Sequence, residues 1–173
     1  NLFIAPLKVS EIITGLTATA LIRTLIGIVP AVLLASPFFG VSLLNLGPAL
    51  MLLLLSLYAF GITLGLLVVS GLLRYGPAFE NVAWSSLFLL APLGCIYYPL
   101  SILPDWLQIL AKALPLVYIF EEVRSILINN IVDYSNIMSA LVLNFIYFLL
   151  AIFIFYNAFN EARKKGTLIN VGE

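Results

Sequence analysis

The residues able to do chemistry in this chain are few, and the densest charge cluster is Glu121, Glu122 and Arg124. Glu121 and Arg124 are three apart, which places them on one helix face where they can pair. In a segment partly immersed in lipid such a pair lowers the cost of insertion, whereas on a solvated surface it contributes little. Arg23 stands about seven residues into an apolar stretch, roughly 10 Å along a helix. A charge at the centre of a membrane helix costs about 2.5–3.5 kcal/mol on insertion scales. Two readings follow for Arg23: the side chain snorkels to the nearer surface, or it faces a partner or substrate inside a bundle. Cys95 is the single cysteine and lies in an apolar stretch, so it reads as a buried thiol with no disulfide partner in the chain.

Missing residue types narrow the chemistry further. The chain has no histidine, which removes histidine-ligated zinc, histidine proton relays and any Ser-His-Asp or Cys-His nucleophile. No Gly-Lys-Ser/Thr occurs, so the phosphate-cradling loop of ATPases is absent and any ATP must be bound by another chain. The spans described below carry almost no carboxylates, which disfavours an ion-coupled carrier.

The elements that position these residues are dictated by hydropathy. Of 173 residues, 63% are hydrophobic and 9% charged, against about 25% charged in an average soluble domain. Mean hydropathy is +1.16. Eight basic residues balance eight acidic ones with no basic stripe, so nucleic acid is not a partner. A soluble globular domain, a disordered chain and a disulfide-framed module are excluded. The fold class is all-α, a polytopic helical membrane protein.

A spanning helix needs about 20 mainly apolar residues. Four segments qualify, near 16–39, 48–70, 82–103 and 137–156. They are continuously apolar rather than alternating, so helices and not barrel strands are expected. Pro30, Pro37, Pro92 and Pro99 imply kinks or breaks. Gly61 and Gly65 form a G-x-x-x-G on the second segment, a spacing that lets helices pack closely. Trp84, Trp106, Tyr97 and Tyr98 fall near the expected interfaces.

Residues 104–136 differ from the rest, being too apolar for a simple loop and too charged for a span. Trp106, Leu107, Ile109, Leu110, Ala113 and Leu114 share a helical face, with Asp105, Gln108 and Lys112 opposite. Pro115 closes this short helix, and a second runs over Leu116 to Ile128. The pair reads as a hairpin dipping partway into the membrane, or as a surface pair outside it. Arg163, Lys164 and Lys165 follow the last span and put the C-terminus in the cytoplasm. Counting back, 104–136 is external, the loop holding Arg74 internal, 40–47 external and the N-terminal end internal. Lys8, Arg23, Arg74, Arg163, Lys164 and Lys165 then lie inside, and Lys112 and Arg124 outside.

Three stretches resemble the membrane (permease) subunit of type-2 ABC transporters, a family that exports drugs, lipids and lipid-linked glycans. Asn1 to Glu11, with Pro6-Leu7 followed by Ser10-Glu11, is similar to the family's first cytoplasmic loop. Leu73-Arg74-Tyr75-Gly76 is similar to its short second cytoplasmic loop. Tyr98-Pro99 through Pro104-Asp105-Trp106-Leu107, then Leu114-Pro115 and Phe120-Glu121-Glu122-Val123-Arg124, resembles its late signature, a proline-marked span end before two short external helices.

The resemblance implies a six-span parent whose last four spans are held here, since the chain opens on Asn1 and is expected to lack the N-terminal part. It implies a coupling segment at 1–15, with Leu2, Phe3, Pro6, Leu7, Ser10 and Glu11 in or beside the contact to a separate ABC ATPase subunit. It further implies an external cap carrying Pro99, Pro104, Trp106, Pro115, Glu121 and Arg124, a cytoplasmic tail at 157–173, and a second permease copy, identical or paralogous. ATP and magnesium belong to the partner ATPase, and the chain itself carries no cofactor and does no bond chemistry. The setting implied is the plasma (inner) membrane, with lipid as the remaining partner. The competing classes are an ion-coupled carrier or channel-like subunit, and a membrane enzyme or assembly protein.

Overall fold

The computed structural model describes residues 9–39, 47–129 and 131–165. Six α-helices account for most of them: α1 (Val9–Phe39), α2 (Gly47–Tyr75), α3 (Phe79–Leu93), α4 (Asp105–Ala111), α5 (Pro115–Asn129) and α6 (Tyr134–Lys165), with a 3-10 turn at Leu100–Ile102. The chain divides into two units, one holding α1 and the other everything from Pro48 onward.

Helix α1 runs through the first apolar segment, with Pro30 and Pro37 inside it. Its apolar side chains, among them Leu21, Ile22, Leu25, Ile26, Val29 and Leu33, stand exposed on successive faces. A helix apolar all round suits a hydrocarbon setting. Arg23 is likewise exposed.

In the second unit, α2 and α6 are long and apolar enough to cross a bilayer, each with a mean hydropathy of 2.5 over its best window. They pack side by side along a regular stripe. On α2 the buried residues are Ala49, Leu53, Ser56, Phe60, Thr63, Ser70 and Gly71. On α6 they include Ile137, Ala140, Asn144, Ala151, Ala158 and Ala162. Steps of three and four residues of this kind make the seam of parallel coiled helices. Three contacts fix the register. The Asn144 side-chain amide donates to the Ser56 carbonyl (2.9 Å) and hydroxyl (2.6 Å). The rings of Phe60 and Tyr147 meet edge to face at 6.4 Å. The Arg74 guanidinium donates twice to one Glu161 carboxylate oxygen, at 3.0 and 2.9 Å. Each partner lies 87 or 88 residues further along the chain, so the two helices run parallel and in step.

The turn from α2 to α3 is tight. Gly76 adopts φ 75°, a left-handed conformation that glycine takes without penalty. Tyr75 and Phe79 stack across it at 5.8 Å. The Phe79 ring occupies the space that a β-carbon on Gly71 would need. In a Phe79→Ala background, Gly71→Ala is therefore expected to raise stability by about 0.8–1 kcal/mol, the helix preference of alanine over glycine. With Phe79 present the ring must leave its stack, and that gain is cancelled or reversed. Thermal unfolding of the four variants in detergent checks the coupling.

The third apolar segment departs from expectation. Residues 82–103 do not form one helix: α3 stops at Leu93. Pro92 brings no N–H to the last turn. Gly94 donates to the Leu90 carbonyl (2.7 Å), and Cys95 to that of Pro92 (3.2 Å), with Cys95 itself at φ 55°. The chain leaves the helix through this left-handed turn, is held extended at Pro99 (ψ 153°), and reaches α4 through the 3-10 turn. Cys95, Leu103, Ala111 and Val117 form a small buried cluster joining the end of α3 to α4 and α5, covered by Tyr98, Leu100, Leu107 and Leu114.

One further expectation is corrected. The apolar face expected on the short helix is split. Ala111 is fully buried and Leu107 and Leu114 pack on the cluster, but Trp106, Ile109 and Leu110 are exposed. The helix is also shorter than the pattern implied, so Ala113 falls in the turn after Ala111. Gly61 and Gly65 lie on an exposed face of α2, with no described residue of the second unit within 4 Å of a β-carbon there.

Candidate functional site

The chemistry-bearing cluster sits on α5, whose start is set by Pro115. Proline suits the first helical position because its missing N–H has no intrahelical partner there. From that start, Pro115, Ile119, Glu122 and Ile126 form the buried stripe of the helix. Glu121, Arg124, Ser125, Ile128 and Asn129 fall on another face, where with Asn136 of α6 they line a cleft of about 330 Å³.

Glu121 and Arg124 pair as their spacing predicts, Nη1 to Oε1 at 2.7 Å. The pair does more than neutralise itself. The same Glu121 oxygen accepts the Leu100 backbone N–H at 2.7 Å, and Arg124 Nη2 donates to the Cys95 carbonyl at 3.1 Å. These two bonds tie both ends of the irregular 95–100 connection to α5. Their side chains are 29% and 23% exposed, so the tie faces the open cleft.

Glu122 points the other way and is fully buried. Its Oε1 accepts the Asp133 backbone N–H at 2.8 Å and its Oε2 the Asn136 side-chain amide at 3.1 Å. Burying a carboxyl group is costly unless its oxygens are bonded. Here both are, by donors from the start of α6. Asp133 in turn caps that helix: its Oδ1 accepts the Ser135 N–H at 2.9 Å.

The other expected site residues are spread along the chain. Pro99 precedes the 3-10 turn. Pro104 stands before α4, where its carbonyl accepts the N–H groups of Leu107 (2.8 Å) and Gln108 (3.0 Å). Trp106 is exposed on α4 and Pro115 buried at the start of α5. Ser10 and Glu11 fall in the first turn of α1. Leu2, Phe3, Pro6 and Leu7 lie outside the described residues.

Two polar contacts were not singled out from the sequence. The burial of Glu122, already named for its charge, could have been found from its step on the 115–119–122–126 stripe, which is otherwise apolar. Asn144 and Ser56 each interrupt an apolar run on a span, which is the mark of a polar contact between membrane helices. Asn144 Oδ1 is buried with no hydrogen-bond partner among the described residues.

Among the described residues, this geometry holds helices together. Glu121, Glu122 and Arg124 are all engaged in ties between segments, and α2 and α6 run in step. Against known proteins, no curated protein and no solved structure matches the chain. The family model described as ABC-2 type transporter matches residues 2–128, a stretch covering α1 to α5 almost to its end. The chain thus belongs to the ABC-2 type transporter family, as a multi-pass membrane permease subunit of an ABC transporter.

Proposed function

We propose that the chain lines the transmembrane pathway of an ATP-driven exporter and is driven by a separate ATPase subunit docked on its first segment. The observation that carries this reading is the parallel packing of α2 and α6, fixed at Ser56–Asn144 and Arg74–Glu161. Parallel neighbours end on the same side of a membrane. Arg74, Arg163 and Lys164 are then gathered on one side, which the positive-inside tendency assigns to the cytoplasm. The chain must return between them through α3, and the α4–α5 hairpin falls on the far side.

The length of α3 supports a re-entrant hairpin. Fifteen residues rise about 22 Å, short of the roughly 30 Å hydrocarbon core. The end of α3 then lies below the far surface, and the hairpin descends to meet it at the Cys95–Val117 cluster. Irregular backbone at that depth is tolerated only where protein groups satisfy it. Glu121 and Arg124 do so, for Leu100 N–H and Cys95 carbonyl respectively. Exposed Trp106, Ile109 and Leu110 are suited to the interface above.

On this reading α1, α2 and α6 are spans, and α3 enters the membrane without crossing it fully before the irregular 94–103 stretch leads to the hairpin. Leu2, Phe3, Pro6, Leu7, Ser10 and Glu11 contact the ATPase, which binds ATP and magnesium. A second permease, identical or paralogous, completes the pathway in the plasma (inner) membrane. Nucleotide-driven closure of the ATPase pair shifts the permease between states that bind the partner differently. The test is reconstitution of the protein with its candidate ATPase in lipid, comparing wild type with Leu7→Asp. The expected result is a stable complex whose association or ATPase stimulation is lost in the variant. No association under any condition would overturn the coupling.

A further inference from the structure

Glu121 and Glu122 are neighbours in sequence, about 100° apart around α5, and hold different partners. Glu122 is the more enclosed of the two. The carboxyl group is fully buried, Ile119 and Ile126 flank it at 2% and 6% exposure, and its bonds reach Asp133 and Asn136. The Glu121 side is open, since its pair with Arg124 lines the cleft. The connection it holds turns at Cys95, the non-glycine residue with positive φ among those described. That conformation is unfavourable for any residue with a β-carbon, and Arg124 bonds to the carbonyl of that residue.

We propose that α5 is a lopsided link. Glu122 is a positioning residue that locks α5 and the start of α6 into one body, and the Cys95 turn, latched by Glu121 and Arg124, is the hinge at which α3 moves against that body. A tie whose carboxyl group is fully buried, although its donor Asn136 borders the cleft, and a more exposed latch over a disfavoured backbone turn place the motion at the turn. The inference rests on the transport reading only for the motion; the Glu122 tie stands apart from it.

The experiment places pairs of spin labels on the protein with its ATPase in lipid bilayers. One pair, Ile128 and Met138, reports α5 against α6; the other, Phe88 and Leu110, reports α3 against α4. All four positions are exposed, whereas Cys95 is fully buried and does not label. With nucleotide trapped, the Phe88–Leu110 distance is expected to shift while the Ile128–Met138 distribution stays narrow and unmoved. Without nucleotide, Glu121→Gln with Arg124→Gln is expected to broaden Phe88–Leu110 alone. Glu122→Ala and Glu122→Met are expected to broaden Ile128–Met138, although methionine refills the space. Glu122→Gln, which keeps an acceptor for Asp133 N–H, is expected to retain the narrow distribution. A nucleotide-dependent shift confined to Ile128–Met138, or no shift in either pair, would overturn the hinge. Narrow Ile128–Met138 distributions in both the alanine and methionine variants would overturn the tie. Failure of the ATPase to associate strikes the coupling reading instead, and the nucleotide-free comparison of Glu122 variants still decides the tie.

Discussion

Glu121→Arg is expected to destabilise the protein by about 2–4 kcal/mol and to abolish transport. The carboxylate accepts a backbone N–H from Leu100 and a guanidinium N–H from Arg124. Hydrogen bonds to charged groups contribute about 1.5–3 kcal/mol. The ion pair itself, about a quarter exposed, adds less than about 1 kcal/mol. The substitution removes the acceptor, leaves Leu100 N–H unpaired, and sets two cations three residues apart on one helix face. Arg124 is then pushed off the Cys95 carbonyl, so both ends of the connection after α3 are released. Glu121→Gln keeps a neutral acceptor for Leu100 and is expected to lose only about 1 kcal/mol. The measurement is thermal unfolding in detergent alongside transport by the reconstituted complex. Wild-type stability and transport in the arginine variant would remove any role for the pair.

That expectation was half visible in the sequence. The i, i+3 spacing gave the Glu121–Arg124 pair directly, because helix geometry alone sets it. The bonds to Leu100 and Cys95 were hidden, since they depend on α3 ending at Leu93. Hydropathy could not show that end. Residues 94–103 are as apolar as the helix before them, and the reversal lies in the backbone, at the left-handed Cys95. Pro92 and Pro99 marked a break somewhere in the segment without placing it. Apolar runs did locate α1, α2 and α6, where a long unbroken stretch admits little else, and Pro115 separated α4 from α5 correctly.

Residue type does not say which way a side chain faces. Gly61 and Gly65 have the spacing of a packing motif, while α2 turns its Ser56–Thr63–Ser70 stripe to α6 and the glycines lie on a different, exposed face. Near α4 six apolar residues shared a periodicity, but the helix stops at Ala111 after about two turns, so it cannot bury them all on one face. Glu122 is the converse case. Its charge suggests a surface, while its phase on α5 puts it among Ile119 and Ile126. In each instance the phase of the helix, set by its partner, overrode composition.

The second large effect is expected at Ala151→Leu, with a loss of about 1–3 kcal/mol, the usual range for overpacking a filled site. Ala151 is fully buried. The offset of 88 that joins Ser56 to Asn144 puts Ala151 level with Thr63, itself 1% exposed. It likewise sets Ala158 level with Ser70. Small residues at these levels let α2 and α6 approach, and in lipid such packing replaces the hydrophobic drive that water would supply. A leucine at 151 has no space to enter, so the helices separate there. Separation propagates in both directions along a rigid seam. Above it the Asn144 bonds to Ser56 lengthen, and below it Arg74 and Glu161 lose register. Leu150→Ala, at a position 52% exposed, is the control and is expected to change stability by less than about 0.5 kcal/mol. Unfolding in detergent distinguishes the two variants. A cysteine pair at Thr63 and Ala151 adds a direct reading of the parallel register. Disulfide formation between them requires β-carbons about 3.5–4.5 Å apart, a separation that only in-step helices provide, and its failure in a folded protein would break the parallel arrangement on which the membrane orientation rests.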